Sequence, residues 1–200
     1  MTARLIHAEP LDTERLTLLP LCAGHAVEMA AVLSDPALHT FIGGAPETLD
    51  ELRARYARLT AGSPDPAVSW CNWVIEVRAE ECLAGTVQAT IRPAPGGATA
   101  GSDVGRDDRP GGSGLLAEIA WVVGMPWQGR GFATEAARGL VRGLEEQGVR
   151  TFVAHVHPEN RASAAVAAAA GLVPTEEWHG GEMCWRRHTG PGAARTPWAT

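Results

Sequence analysis

In the segment Pro126-Trp127-Gln128-Gly129-Arg130-Gly131-Phe132-Ala133-Thr134-Glu135-Ala136, small residues at 129, 131 and 133 separate a strand pattern from a helix pattern. Before it, Leu115 to Val123 places Ala117, Ile119, Trp121 and Val123 on one face, the period-two signature of a strand, and leaves Glu118 on the other face among apolar neighbours. After it, Ala133 to Gln147 carries Ala136, Ala137, Leu140, Val141 and Leu144 on one helical stripe that Gly148 stops. A strand that turns through glycines into a helix is a ready anion site, because the first N–H groups of a helix lack backbone partners and the helix dipole favours negative charge there. The glycines let a ligand approach the main chain, and Arg130 can add a charge-assisted contact to a phosphate. An ordinary tight turn between strand and helix uses such residues as well, so the flanking elements have to decide.

Upstream, Thr13 to Pro20 alternates polar and apolar residues and reads as a strand, followed by a helix at about 23 to 33 with Ala26, Val27, Ala30, Ala31 and Leu33 on one stripe. Thr48-Leu49-Asp50-Glu51 matches a capping box and starts a second helix that runs to about Thr60. Trp70 to Val77 and Leu83 to Ile91 are rich in β-branched residues and are separated by Arg78-Ala79-Glu80-Glu81, which predicts an antiparallel hairpin. Downstream, Thr151 to Val156 is a strand, Asn160 caps a short alanine-rich helix ended by Gly171, and Leu172 to Thr175 and Glu182 to His188 are two short strands.

Between Pro93 and Gly114 the chain is mostly Gly, Pro, Ser and Asp, so 93–114 is expected to be a flexible insertion, with a substrate lid as the functional alternative. The Gly, Pro and Ala residues of 189–200 predict a frayed tail. Two hundred residues, 45% of them apolar, fit a single domain over 1–200. No run of eighteen apolar residues or signal-peptide core is present, so the expected setting is cytoplasmic, away from membranes. A net charge of −6 with scattered acids, and no lysine at all, offers no polybasic surface for nucleic acid. Cys22, Cys71, Cys82 and Cys184 form no CxxC pair and read as buried free thiols. His155 and His157 would share a strand face, but no further ligand is nominated, so no metal site is expected.

The segment 126–136 resembles the acetyl-CoA loop of the GNAT superfamily of N-acetyltransferases, with its Gln/Arg-x-x-Gly-x-Gly/Ala pattern. His157-Pro158-Glu159-Asn160-Arg161-Ala162-Ser163, followed by Ala169-Ala170-Gly171-Leu172, looks like that superfamily's next strand-to-helix element. Thr13-Glu14-Arg15-Leu16-Thr17-Leu18 and Leu83-Ala84-Gly85 sit where the branch containing the ribosomal-protein N-terminal (Rim-type) acetyltransferases has its opening strand and central hairpin. The resemblance covers roughly residues 11 to 188 without the insertion.

The resemblance implies an α/β GNAT fold of the α+β type: a twisted, mixed, mostly antiparallel sheet of six to seven strands with about four helices. Its central parallel strands, here 115–123 and 151–156, would splay apart. Main-chain groups of Trp121, Val122 and Val123 would then pair with pantetheine. The turn formed by Gln128, Gly129, Arg130, Gly131, Phe132, Ala133 and Thr134 would hold the diphosphate of acetyl-CoA, the implied cosubstrate. Asn160 would be both a helix cap and a pantetheine contact.

Aminolysis of a thioester needs a neutral amine and a leaving thiolate that can be protonated. An α-amino group, with a pKa of about 8, asks less of a base than a lysine at about 10.4. Glu118 is the candidate base, acting through an ordered water. Ser163 matches the position of the proposed acid in the Rim-type branch, where it would donate to the departing sulfur, or only hydrogen-bond the thiolate or relay a water proton. Many GNAT enzymes use a tyrosine as the acid, whereas the sole tyrosine here, Tyr56, falls on an upstream helix. The tryptophans at 70, 73, 121, 127, 178 and 185 read chiefly as packing, with an aromatic acceptor pocket as the alternative.

The expected activity is acetyl transfer to a primary amine, either a peptide N-terminus or a small molecule, by a protein that the resemblance expects to dimerise. The competing reading is a catalytically silent CoA-binding sensor or scaffold. A dinucleotide-binding module fails because the loop lacks GxGxxG spacing.

Overall fold

The computed structural model describes residues 5–94 and 114–189. Its strands are β1 (Leu11–Asp12), β2 (Leu16–Pro20), β3 (Ser69–Val77), β4 (Cys82–Pro93), β5 (Leu115–Val123), β6 (Val149–Val156), β7 (Val173–His179) and β8 (Glu182–His188). The helices are α1 (Ala26–Val32), α2 (His39–Ile42), α3 (Leu49–Thr60), α4 (Phe132–Glu146) and α5 (Arg161–Ala169), with short 3-10 turns at Ala23–His25, Pro36–Leu38 and Met125–Trp127. One mixed sheet runs β1-β2-β3-β4-β5-β6-β8-β7. The described residues thus hold eight strands and five helices, against the expected six to seven and about four. The two-residue β1 and the single-turn α2 are too short to carry a periodic signal.

The expected β3–β4 hairpin forms in register from Ser69↔Ile91 to Val77↔Cys82, and Glu81 takes a positive φ of 50° in its turn. Strand β4 is longer than the β-branched run suggests. It pairs with β5 from Gly85↔Val123 out to Pro93↔Leu115, and Ala94 N–H then donates to Gly114 O at 2.8 Å. The ends of the expected insertion therefore belong to a hairpin stem, and 95–113 lie outside the described residues. Likewise Thr189 is tied to Arg150 O by its N–H and its hydroxyl, so only 190–200 of the expected tail lie beyond the description.

Among the described residues β5 and β6 are the one parallel pair, and they touch only at their beginnings, from Leu115↔Val149 to Glu118↔Val153. Residues 119–123 and 154–156 have no partner across this junction, so the sheet opens at its centre, as the resemblance implied.

Helix α4 covers one face of the sheet. Phe132, Ala136, Leu140 and Leu144 pack with Ala117, Ile119 and Val123 of β5 and with Leu16, Leu18, Trp73 and Phe152. Gly139 and Gly143 let β1 and the following turn lie against this helix, since a Cβ at either would come within 2.6 Å of Thr13 or Leu11. The other face is covered near β3 and β4 by α1 and α3, where Ala26, Met29, Val32, Leu52 and Tyr56 bury Val74 and Leu83. The buried stripe of α1 is thus 26, 29 and 32, while Val27, expected inside, is 63% exposed. A short helix rich in alanine carries too few large residues to reveal its phase. Of the cysteines expected to be buried, Cys71 and Cys184 are, whereas Cys22 is exposed and Cys82 half-buried. Helix α3 begins with the expected capping box, Thr48 and Glu51 each accepting from the other's N–H.

Candidate active site

A cavity of about 620 Å³ lies where β5 and β6 part. Its floor is the polar face of the central strands, including Asn72, Gln88, Thr90, Glu118 and His155, and its walls come from α2, α3 and the start of α5. The physical cause is the strand period: with Ala117 and Ile119 turned into the α4 core, Glu118 must face the opposite side, and so must His155 between buried Ala154 and Val156.

Glu118 is brought to the point where β5 and β6 stop pairing. Its carboxylate lies 3.9 Å from Arg92 Nη1 and 3.9 Å from His155 Nε2, both too long for direct hydrogen bonds. Ser163 and Asn160 reach the same cavity from the β6–α5 connection, with the Asn160 side-chain oxygen accepting from Ser163 N–H at 3.0 Å, the predicted cap. Trp121 and Val122 also line it, whereas Val123 is buried and its carbonyl accepts from the Gln128 side-chain amide at 3.0 Å. Gln128 therefore fastens the turn to the end of β5, and its side chain is engaged with protein. Of the tryptophans considered for an acceptor pocket, Trp73 and Trp121 line this cavity.

The turn has the geometry its glycines suggest. Gly129 and Gly131 have φ of 72° and 81°, the left-handed region that disfavours a side chain. Gly131 is the N-cap of α4 and supplies no side-chain hydrogen bond, which leaves the first-turn N–H groups of Phe132, Ala133 and Thr134 without a side-chain cap. Phe132 itself is buried beneath two guanidiniums, those of Arg15 at 4.8 Å and Arg130 at 4.6 Å from its ring. Arg130 is also paired with Glu80 of the β3–β4 turn, and this contact holds the Glu80 carboxyl below its ordinary pKa. The expected phosphate contact would require Arg130 to leave or share that partner.

A second network, not anticipated from the sequence, anchors the turn. Glu135 in the first turn of α4 accepts from Thr13 Oγ1 at 2.7 Å, Arg15 N at 2.6 Å and Arg15 Nε at 2.7 Å, while Arg15 Nη1 donates to Arg130 O at 3.0 Å. Burial alone would raise the Glu135 pKa, but these donors outweigh it and hold the carboxyl below its usual range. The opening Thr13-Glu14-Arg15 and the later Thr134-Glu135 are thus two halves of one clamp.

The sequence reading also passed over the α2–α3 wall. Tyr56, remote from the reaction by sequence, lines the cavity beside Arg55 and His39, and burial pushes its phenol up to about 12. No short motif could mark these residues, because the tertiary fold alone sets them opposite Glu118. His157 packs at a tilt against Phe41 with ring centroids 5.4 Å apart, and among the described residues no three His, Cys, Asp or Glu side chains gather as a metal site. The described residues also include no helix long and apolar enough to cross a membrane.

A glycine turn into an uncapped helix, beside an opened parallel strand pair, places this protein among the acyl-CoA-dependent transferase folds. The chain belongs to the GNAT acetyltransferase family: residues 15–173 match the family described as "Acetyltransferase (GNAT) domain". It is an acetyl-CoA-dependent acetyltransferase. No curated protein matches the sequence. Among solved structures, it is similar to a GNAT-family acetyltransferase from Bacillus anthracis, with TM-score 0.67 and 18% identity over 90% of this chain and 98% of that one. RimL, a ribosomal α-N-protein acetyltransferase in complex with coenzyme A, gives 0.68 and 17% over 90% and 98%. A microcin self-immunity acetyltransferase in complex with acetyl-CoA and AMP gives 0.64 and 16% over 88% and 93%.

Proposed function

We propose that this enzyme transfers acetyl from acetyl-CoA to a primary amine, either a peptide N-terminus or a small molecule, by direct attack in the cavity between β5 and β6. The observation that carries the reading is the parting of these strands after Glu118, with Glu118 and His155 facing each other across the opening. The fit to the cosubstrate is good on two counts. Strand β5 has unpaired backbone on its β6 side, as an extended pantetheine arm requires, and the turn from Gly129 to Thr134 presents an uncapped helix start to the diphosphate.

The amine nitrogen bonds to the acetyl carbonyl carbon and the carbon–sulfur bond breaks. Glu118 takes the amine proton through a water held by its carboxylate, and His155, 3.9 Å away, borders the same seat. Ser163, fixed by the Asn160 cap, is positioned to donate to the departing thiolate. Arg92 opposes the negative charge of Glu118 from the other side and keeps the carboxylate oriented. The acidic face that Glu47, Glu118 and Glu182 give the cavity suits a cationic amine on arrival.

Thiol release measured with acetyl-CoA and a panel of amines tests this reading, beside calorimetry with CoA. Turnover with at least one primary amine is expected. Binding without turnover on a broad panel would instead favour a CoA-responsive sensor.

A further inference from the structure

Two guanidiniums lie over the Phe132 ring at the start of α4, and each is met by a carboxylate, but the two carboxylates are held very differently. Glu135, paired with Arg15, is 16% exposed and accepts from Thr13 Oγ1, Arg15 N and Arg15 Nε, which makes it a fixed part of the framework. Glu80, paired with Arg130, comes from the β3–β4 turn, where its N–H donates to Val77 O at 3.0 Å and Glu81, with φ of 50°, reverses the chain. The Glu80 side chain is 39% exposed and that of Arg130 is 42% exposed. Oxygen Oε1 of Glu80 accepts from Arg130 Nη2, while Oε2 accepts from Arg130 Nη1 at 3.4 Å and from Trp127 Nε1 at 3.3 Å. Trp127 and Arg130 flank the same glycine turn, so one carboxylate from a distant hairpin grips that turn at two points.

Exposure decides how firm the grip is. An ion pair this open to water contributes no more than about fivefold to an equilibrium constant, because water screens it and two long side chains must be ordered to form it. A diphosphate seated at the turn offers Arg130 more. It carries two negative charges, its oxygens fit the guanidinium fork, and the first N–H groups of α4 hold it in place. The Arg130 guanidinium need not travel far to change partner, since it rests 4.6 Å from the centre of the buried Phe132 ring. The exchange still has a cost: the carboxylate must be given up, and it is left charged beside the site.

We propose that Glu80 is a positioning residue that competes with the diphosphate of CoA for Arg130, keeping the guanidinium at the turn before CoA arrives and lowering the affinity once it has bound; the inference rests on the diphosphate seat proposed above. A looser hold suits an enzyme that must release CoA after every transfer, a step that limits turnover in many enzymes.

Calorimetry with CoA on the wild type, Glu80→Gln, Arg130→Gln and the double variant tests this, with kcat and the acetyl-CoA KM measured on any amine that turns over. Glutamine keeps the size of Glu80, and its carbonyl can still accept from Trp127, so the turn retains its shape. Glu80→Gln should tighten CoA binding about three- to fivefold and lower the acetyl-CoA KM by a similar factor, without raising kcat. Arg130→Gln should weaken CoA binding, and adding Glu80→Gln to it should have no measurable effect, because no guanidinium is left to compete for. Calorimetry fits the competent fraction separately from the affinity, so partial loss of folded protein does not disturb the comparison.

A carboxylate that merely braces the turn would give weaker or unchanged CoA binding in Glu80→Gln, and either result overturns the proposal. So does a gain in affinity that survives in the Arg130→Gln background, which marks plain repulsion between Glu80 and the phosphates. Full affinity in Arg130→Gln also overturns it, by removing Arg130 from the contact. All these outcomes leave the main-chain seat for the diphosphate standing, whereas an absence of CoA heat from all four proteins overturns that seat as well.

Discussion

Replacing Glu135 by Ala removes three short, charge-assisted hydrogen bonds at once, two to the main chain and side chain of Arg15 and one to the Thr13 hydroxyl. Hydrogen bonds to charged groups contribute about 1.5–3 kcal/mol each when buried. Here the carboxylate is only 16% exposed but the Arg15 side chain is 47% exposed, so water screens the ion pair and can replace part of what is lost. About 1 kcal/mol per bond, or roughly 2–3 kcal/mol in all, is the reasoned cost. With a urea m-value of about 2–3 kcal/mol/M, the unfolding midpoint should fall by roughly 1 M.

The pH dependence supplies a sharper check. The Glu135 pKa is depressed in the folded state, its donors outweighing the burial that alone would raise it. Its stabilisation is therefore fully present above the unfolded carboxyl pKa of about 4.3 and is lost as the pH falls through the lower folded value. Urea titrations of wild type and variant should differ most near pH 7 and converge as the pH falls below the unfolded carboxyl pKa. The variant should also bind CoA more weakly, because Arg15 holds Arg130 O and so fixes the turn. A midpoint unchanged at pH 7, or a difference that persists undiminished in acid, refutes the clamp.

Gly131→Asp should weaken acetyl-CoA binding by tenfold or more in calorimetry, since it sets a carboxylate at the helix start and a side chain at φ 81°; Gly131→Ala separates the charge effect from the strain. Unchanged affinity for the Asp variant contradicts the loop assignment. Glu118→Gln should lower kcat by roughly 10²–10⁴-fold while leaving CoA affinity intact, and a wild-type rate across about pH 6 to 9 removes Glu118 from the mechanism. Asn160→Ala should cost about 1 kcal/mol through loss of the α5 cap, read as a lower denaturation midpoint, and should also reduce kcat if Ser163 needs that cap for its placement.

Much of this protein was legible residue by residue because the signals are local. The period-two alternation of 115–123, the capping box at Thr48 and the Asn160 cap each depend on groups within a turn or two, and the structure bears all three out. The glycines at 129 and 131 likewise announced a turn that only a positive φ permits. Where local signals were weak, the reading slipped: small residues hid the phase of α1, and four-residue α2 has no room for a period.

What the chain order by itself determined is the family, the elements and the location of the glycine turn proposed to hold the diphosphate. The tertiary structure alone decided where β5 and β6 cease to pair, which sets Glu118 against His155, and which distant side chains wall the cavity. Tyr56 and Arg55 stand more than sixty positions from Glu118, and Thr13 and Arg15 about 120 from Glu135. Pairings across such separations follow from how the layers pack, and no pattern within a helix or a strand encodes them.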